Sequence, residues 1–170
     1  MTQFDPPDPD EPRFAQGNKP AASTSSTPKP TLLVSACLLG VACNHEGRHA
    51  QRPHVEALRE HFELVPICPE VAGGLPTPRI AAEITGDAVV TGDGADVTSA
   101  YRRGANAAVE LARATGAQRA VLKARSPSCG SGAVYDGTFT RTLTAGDGVT
   151  AAALRLAGID VRSDEDPAPA

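Results

Sequence analysis

The chain has 170 residues, is 41% hydrophobic, carries a formal charge of −4 and holds only 4% aromatic residues. That length suits one domain with a real core, or a domain plus tails, in an ordinary soluble protein. The 16 basic residues are scattered, which argues against a nucleic-acid surface, and no apolar run is long enough to cross a membrane. The N-terminus has neither the positive region nor the apolar core of a signal peptide, so the expected compartment is the cytoplasm. Thiols stay reduced there, and four cysteines read as ligands, reagents or core residues rather than disulfides.

Residues 1–30 are rich in Pro, Asp, Ser and Thr and nearly devoid of apolar side chains, so they read as a disordered N-terminal tail. Order begins at Thr31, where Leu32, Leu33 and Val34 form a buried strand ending at Cys37. Cys43, Asn44, His45 and His49 then fall in a loop. Pro53 suits the first turn of a helix whose apolar side is Val55, Leu58 and Phe62. A second strand, Leu64–Ile67, runs into Cys68-Pro69-Glu70; its Pro66 is tolerable only at a sheet edge. Gly73 to Arg79 is loop by composition, and Ile84 to Val90 suggests a short strand or a hairpin around Gly86-Asp87.

Asp96 caps a long helix to about Thr115, stopped by Gly116, with Val97, Tyr101, Ala105, Ala108, Leu111 and Ala112 on its buried side. Ala120, Val121 and Leu122 make a central buried strand, which Ser126-Pro127 and the glycines Gly130 and Gly132 break into a polar loop carrying Ser126, Ser128 and Cys129. Tyr135 to Phe139 is a turn flanked by aromatics. Asp147-Gly148 opens a last helix through Leu156, and Ile159–Val161 is a last strand. The boundaries expected are therefore 1–30 tail, 31–162 a single domain and 163–170 an acidic, Pro-rich C-terminal tail. Alternating strands and helices predict an α/β fold, with a mostly parallel sheet and helices on both faces in a Rossmann-like three-layer arrangement.

Cys37, Cys68 and Cys129 each follow a strand. In a parallel sheet those ends share one rim, where ligands of open α/β sheets bind. Three converging thiols can join zinc if Cys43, His45, His49 or His54 supplies a fourth ligand, although no CxxC pair is present. They can equally hold an iron–sulfur cluster, with three ligands leaving one iron open as a Lewis acid. The histidines read more simply as solvated surface. Glu70, two residues past Cys68, suits a general base, and Ser126 and Ser128 suit anion stabilisation. The plainer alternative pairs Glu70 with Arg79 or Lys123 and leaves the serines capping backbone groups.

These segments resemble the DUF523 family, which includes the thiouracil desulfidases. The resemblance rests on Val34-Ser-Ala-Cys-Leu-Leu-Gly40 with Cys43, on Cys68-Pro-Glu-Val-Ala-Gly-Gly-Leu-Pro-Thr-Pro-Arg79, and on Lys123 with Ser126-Pro-Ser-Cys-Gly130 and Tyr135-Asp-Gly-Thr-Phe139. It runs from about residue 32 to residue 162. It implies a [4Fe-4S] cluster held by Cys37, Cys68 and Cys129, with Cys43 a non-ligand and one iron free for a substrate sulfur. It also implies Glu70 and Ser126 as a catalytic pair that removes sulfur from a small thiolated base such as 2-thiouracil, without net electron transfer. Two departures bear on substrate fit: Asn44-His45-Glu46-Gly47 stands where many relatives have Arg-Tyr-Asp-Gly, and Ile80-Ala81 stands where a proline is common. The reading from another class is a non-catalytic iron–sulfur or zinc module, such as an electron carrier, a sensor or a metal-stabilised binding domain. A nucleophilic Cys129 is weaker, since no histidine lies in a motif beside it.

Overall fold

A computed structural model describes residues 28–167. The disordered tail expected over 1–30 lies outside the described residues except at 28–30, which are exposed, and 168–170 lie outside them as well.

The chain opens with β1 (Thr31–Ser35), a 3₁₀ turn over Ala36–Leu39, α1 (Pro53–Glu56) continued as 3₁₀ through Glu60, and β2 (Glu63–Ile67). It goes on with α2 (Pro69–Ala72), the antiparallel hairpin β3 (Ala82–Thr85) and β4 (Ala88–Thr91), and α3 (Thr98–Thr115). After β5 (Arg119–Leu122) come a second antiparallel pair, β6 (Ala133–Tyr135) and β7 (Leu143–Ala145), then α4 (Val149–Leu156) and β8 (Asp160–Ser163). Four strands form one parallel sheet in the order β2-β1-β5-β8, with Leu33 level with both Val65 and Ala120. The expected α/β class, mostly parallel with helices on both faces, is what the chain adopts.

The strands are apolar on both faces because both faces are covered. Leu33, Ala120, Leu122 and Val161 pack against Ala108 and Ala112 of α3 and Ala151 and Leu154 of α4. Leu32, Val34, Leu64 and Val121 pack on the other side against Val55, Leu58 and Phe62. Alanines along the buried face of α3 let it lie close on the sheet. Pro66 falls in β2, which is indeed an edge strand. Gly116, at φ 69, ends α3 in the left-handed region that glycine adopts without strain. The helix begins at Thr98, whose N–H donates to Asp96 Oδ1 at 2.8 Å, so Asp96 anchors its first turn from two residues upstream.

The single turn α2 follows Cys68 directly and carries Glu70. Two features differ from expectation. The strands β6 and β7 pair where the sequence predicts only a turn. The last strand runs to Ser163, and Asp164, assigned to the C-terminal tail by its acidic surroundings, is only 3% exposed. Asp164 accepts the Ala124 N–H at 2.6 Å and Arg52 Nε at 3.1 Å, with Lys123 Nζ 3.7 Å away. Buried acids persist where such partners surround them, and the structured domain therefore extends past residue 162.

Candidate functional site

The strand order changes direction between β1 and β5: the chain leaves β1 for β2 on one side and leaves β5 for β8 on the other. The connections part there and open a cleft beyond the strands' carboxyl ends. A cavity of about 630 Å³ occupies it, and Cys37, Cys43, Cys68 and Cys129 all line it. Cys37 sits in the 3₁₀ turn after β1, Cys68 between β2 and α2, and Cys129 in the loop after β5. All four are free thiols.

Burial pushes the Cys37 thiol up to about 11, helped by the charge of Cys68 and opposed by Lys123. Burial and Cys68 likewise push Cys43 up to about 12. Burial also pushes Cys129 up, against a hydrogen bond from the Ser35 hydroxyl that favours the thiolate. Burial therefore favours the protonated thiol at Cys37, Cys43 and Cys129. Among the described residues, no three His, Cys, Asp or Glu side chains are gathered closely enough to hold a single metal ion. An iron–sulfur cluster takes its cysteines at separate irons, so its ligands surround a volume instead of meeting at a point. Thiols spread around a cavity fit that group in both donor chemistry and arrangement.

Glu70 stands in the first turn of α2, where Pro69 at the first helical position starts the turn directly after Cys68. Its Oε2 accepts Arg79 Nε at 2.6 Å and the Tyr101 hydroxyl at 3.2 Å, and the pair is largely buried. The Arg79 pairing left open by the sequence is therefore present, whereas Lys123 turns to Asp164. Burial, and then the neighbouring Glu70 carboxylate, hold the Tyr101 hydroxyl protonated far above its ordinary range. Arg79 Nη2 also donates to the Cys43 carbonyl at 3.1 Å, tying the carboxylate's holder to the opening loop. With both partners on Oε2, Glu70 Oε1 has no partner among the described residues and is open to the cavity that the residue lines.

Ser126 also lines the cavity. Its Oγ accepts the N–H groups of Ser128 and Cys129, both at 3.1 Å, so it caps the loop that presents Cys129. Both lone pairs are then in use, and the hydroxyl proton remains to be donated. Ser128 takes no part: it is fully buried, with its Oγ 2.9 Å from Thr150 Oγ1 at the start of α4. His49 and His54 are exposed, the latter with Nε2 2.9 Å from the Asp164 carbonyl, and His45 sits at the cavity rim.

Sequence reasoning missed two groups here. Ser35 reaches Cys129 and accepts the Lys123 N–H at 2.9 Å, linking the ends of β1 and β5 below the cavity. Glu83, in the middle of β3, is buried on the cavity wall. The strand read from sequence begins at Ile84, one residue too late to place Glu83 inside it, so nothing local singles it out.

Residues 32–166 match the 2-thiouracil desulfurase family. A relative from Bacillus subtilis (strain 168), the uncharacterized protein YbbK, is 41% identical over 145 residues, covering 79% of this chain and 96% of the relative. Among solved structures, the chain resembles the [4Fe-4S]-dependent thiouracil desulfidase TudS (DUF523Vcz), with a TM-score of 0.76 and 46% identity. That match covers 81% of this chain and 92% of the other.

Proposed function

The chain belongs to the 2-thiouracil desulfurase family, and we propose that it is a [4Fe-4S]-dependent desulfidase that converts a thiolated base such as 2-thiouracil to its oxo form, releasing hydrosulfide. The observation that carries this reading is three strand-end thiols on one cavity beside a buried carboxylate with a free oxygen. Cys37, Cys68 and Cys129 would hold the cluster. When bound, such a cluster supplies a sulfur-seeking Lewis acid with one iron left free of protein sulfur.

The protein's own groups account for the rest. Glu70 Oε1 accepts a proton from water as its oxygen attacks the carbon bearing sulfur; Arg79 and Tyr101, both on Oε2, keep the carboxylate aimed during that step. Ser126 donates its hydroxyl proton toward the charge that develops as the carbon–sulfur bond breaks. Carbon exchanges sulfur for oxygen, so the sum is hydrolysis and no electron is gained or lost. Anaerobically reconstituted protein should convert 2-thiouracil to uracil, followed by the change in ultraviolet absorbance. Glu70→Gln should retain iron and sulfide while losing about 10²- to 10⁴-fold in kcat. Full activity in that variant would remove Glu70 from the chemistry.

One observation favours a second reading. Cys43 lines the same cavity, and the Cys68 thiol lies 3.5 Å from the Cys43 carbonyl oxygen. A fourth thiolate would close the open position and make the domain an electron carrier, a sensor or a zinc-stabilised module. Cys43→Ser decides between the two. A desulfidase keeps its iron in that variant and loses it in Cys129→Ser; equal loss in both favours the four-thiolate module.

A further inference from the structure

Among the described residues, Glu83 is a carboxylate with no cation paired to it. It is 8% exposed and lies on the cavity wall. Of the basic residues that share the wall, Arg79 pairs with Glu70, Lys123 with Asp164 and Arg125 with Glu165, and Arg141, on the same wall, makes no ion pair with Glu83. Its Oε2 accepts two backbone N–H groups, from Gly137 and Phe139, each at 3.0 Å. Its Oε1 has no partner. Among the described residues no sealed side-chain oxygen lacks a partner, so Oε1 is open to the space that Glu83 lines. A buried charge kept with one oxygen unspent is costly unless something else completes it.

The loop that Glu83 pins shapes the same space. Tyr135 and Phe139 both line the cavity. Phe139 is held at φ 58, in the left-handed region, and Gly137 at φ 87 lies so tight against β3 that an added Cβ would come 2.6 Å from the Ile84 carbonyl oxygen. Glu83 on β3 and the segment it pins therefore bring an anionic acceptor together with aromatic rings. That pairing recognises a flat heterocycle bearing an N–H donor, since the rings cover a face while the carboxylate takes the edge.

Building on the desulfidase reading, we propose that Glu83 is the residue that reads the substrate, accepting the N–H adjacent to the thiocarbonyl. The substrate class is then narrowed to cyclic thioamides and thioureas with that nitrogen unsubstituted. Glu83 orients the ring so that its thiocarbonyl carbon meets the water held by Glu70. Removing an acceptor from a site built around it costs about 10- to 100-fold in affinity.

The test uses Glu83→Gln, whose amide oxygen can still accept both backbone N–H groups while the other atom becomes a donor. Affinity for uracil, which has the same N–H edge and no sulfur, is measured by calorimetry on cluster-loaded protein. The same preparations give KM for 2-thiouracil, iron and sulfide content, and the melting temperature. The expected result is a loss of about 10- to 100-fold in uracil affinity and a matching rise in KM, with metal content and melting unchanged. Wild-type protein should also discriminate against 1,3-dimethyl-2-thiouracil, which keeps no N–H beside the thiocarbonyl, and Glu83→Gln should abolish that discrimination. Unchanged uracil affinity in the variant overturns the proposal, as does equal binding of 2-thiouracil and its 1,3-dimethyl derivative by the wild type; the dimethyl comparison stands even if the variant fails to fold. If the wild type binds uracil through Glu83 but turns over no thiouracil, the desulfidase reading falls and the assignment of Glu83 as a base-edge reader stands.

Discussion

Replacing Gly104 with alanine should cost both stability and turnover, although alanine is the better helix former. Gly104 lies in α3 against the backbone of α2, and a Cβ there would overlap the Pro69 carbonyl oxygen and come 2.7 Å from its carbonyl carbon. The approach is reciprocal, because a Cβ on Gly73 would come 3.0 Å from the Ala100 carbonyl carbon. Ordinary contact begins at 3.4 Å, so α2 must retreat by about 0.7 Å or more. Overpacking against backbone, which cannot swing aside as a side chain can, falls in the upper part of the usual range, about 2–3 kcal/mol, and the gain in helix propensity returns about 1 kcal/mol. A net loss of about 1–2 kcal/mol corresponds to a fall of about 2–8 °C in Tm for a chain of this length. Pro69 stands between Cys68 and Glu70, so the displacement reaches the proposed ligand and the proposed base together. A misplacement near 1 Å can cost about 10²-fold in rate. Calorimetric melting of cluster-loaded protein, iron content and kcat/KM measure the three consequences. A Tm equal to or above that of the wild type, with turnover intact, would refute the backbone-to-backbone seating of α2 on α3.

Two further perturbations test other parts of the structure. Asp164→Ala strips the Ala124 N–H of its acceptor and leaves Lys123 and Arg52 without a counter-charge; urea unfolding should show a loss of about 2–3 kcal/mol, near the cost of an unmet buried donor. In cluster-free protein, burial holds the Cys37 thiol at about 11 and Cys43 at about 12, both above the ordinary value of 9.0. The folded state then binds more protons than the unfolded state once pH exceeds 9.0, so stability is full below that pH and falls as pH rises toward 11. A pH series of thermal melts checks the sign, and alkylation of Cys37 at pH 8 should run about 100-fold slower than that of an unperturbed thiol.

The parts of the fold legible in the sequence are those whose physics is local or continuous. Leu32–Val34 and Ala120–Leu122 read as strands because a strand covered on both faces must be apolar throughout. The helix over Thr98–Thr115 shows a period and a glycine stop. The β6–β7 pair is silent in sequence because Leu143–Ala145 is exposed at every position and has no alternation to betray it. Asp164 misleads for the opposite reason: its neighbours Glu165 and Asp166 look like a tail, while the groups that keep it buried come from around residues 52 and 124. The site divides the same way. Position at a strand end marks Cys37, Cys68 and Cys129 before any coordinates, whereas Glu83 is reached only once β3 and the 136–139 turn are brought together.

That division has a consequence for how the site responds to change. Cys37 and Cys129 stand at the ends of β1 and β5, which pair directly and whose ladder continues through the Lys123 N–H on Ser35. Glu70 is instead fixed by α2, Arg79 and Tyr101, none of which belongs to the sheet. On the proposed assignment, metal retention and turnover rest on different scaffolding, joined mainly at Cys68, where β2 passes into α2. Loosening Tyr101→Phe should weaken turnover through the aim of Glu70 and leave iron content alone, while Ser35→Ala should disturb the sulfur of Cys129 and leave the Glu70–Arg79 pair in place. Loss of iron in Tyr101→Phe would mean that the two supports are one.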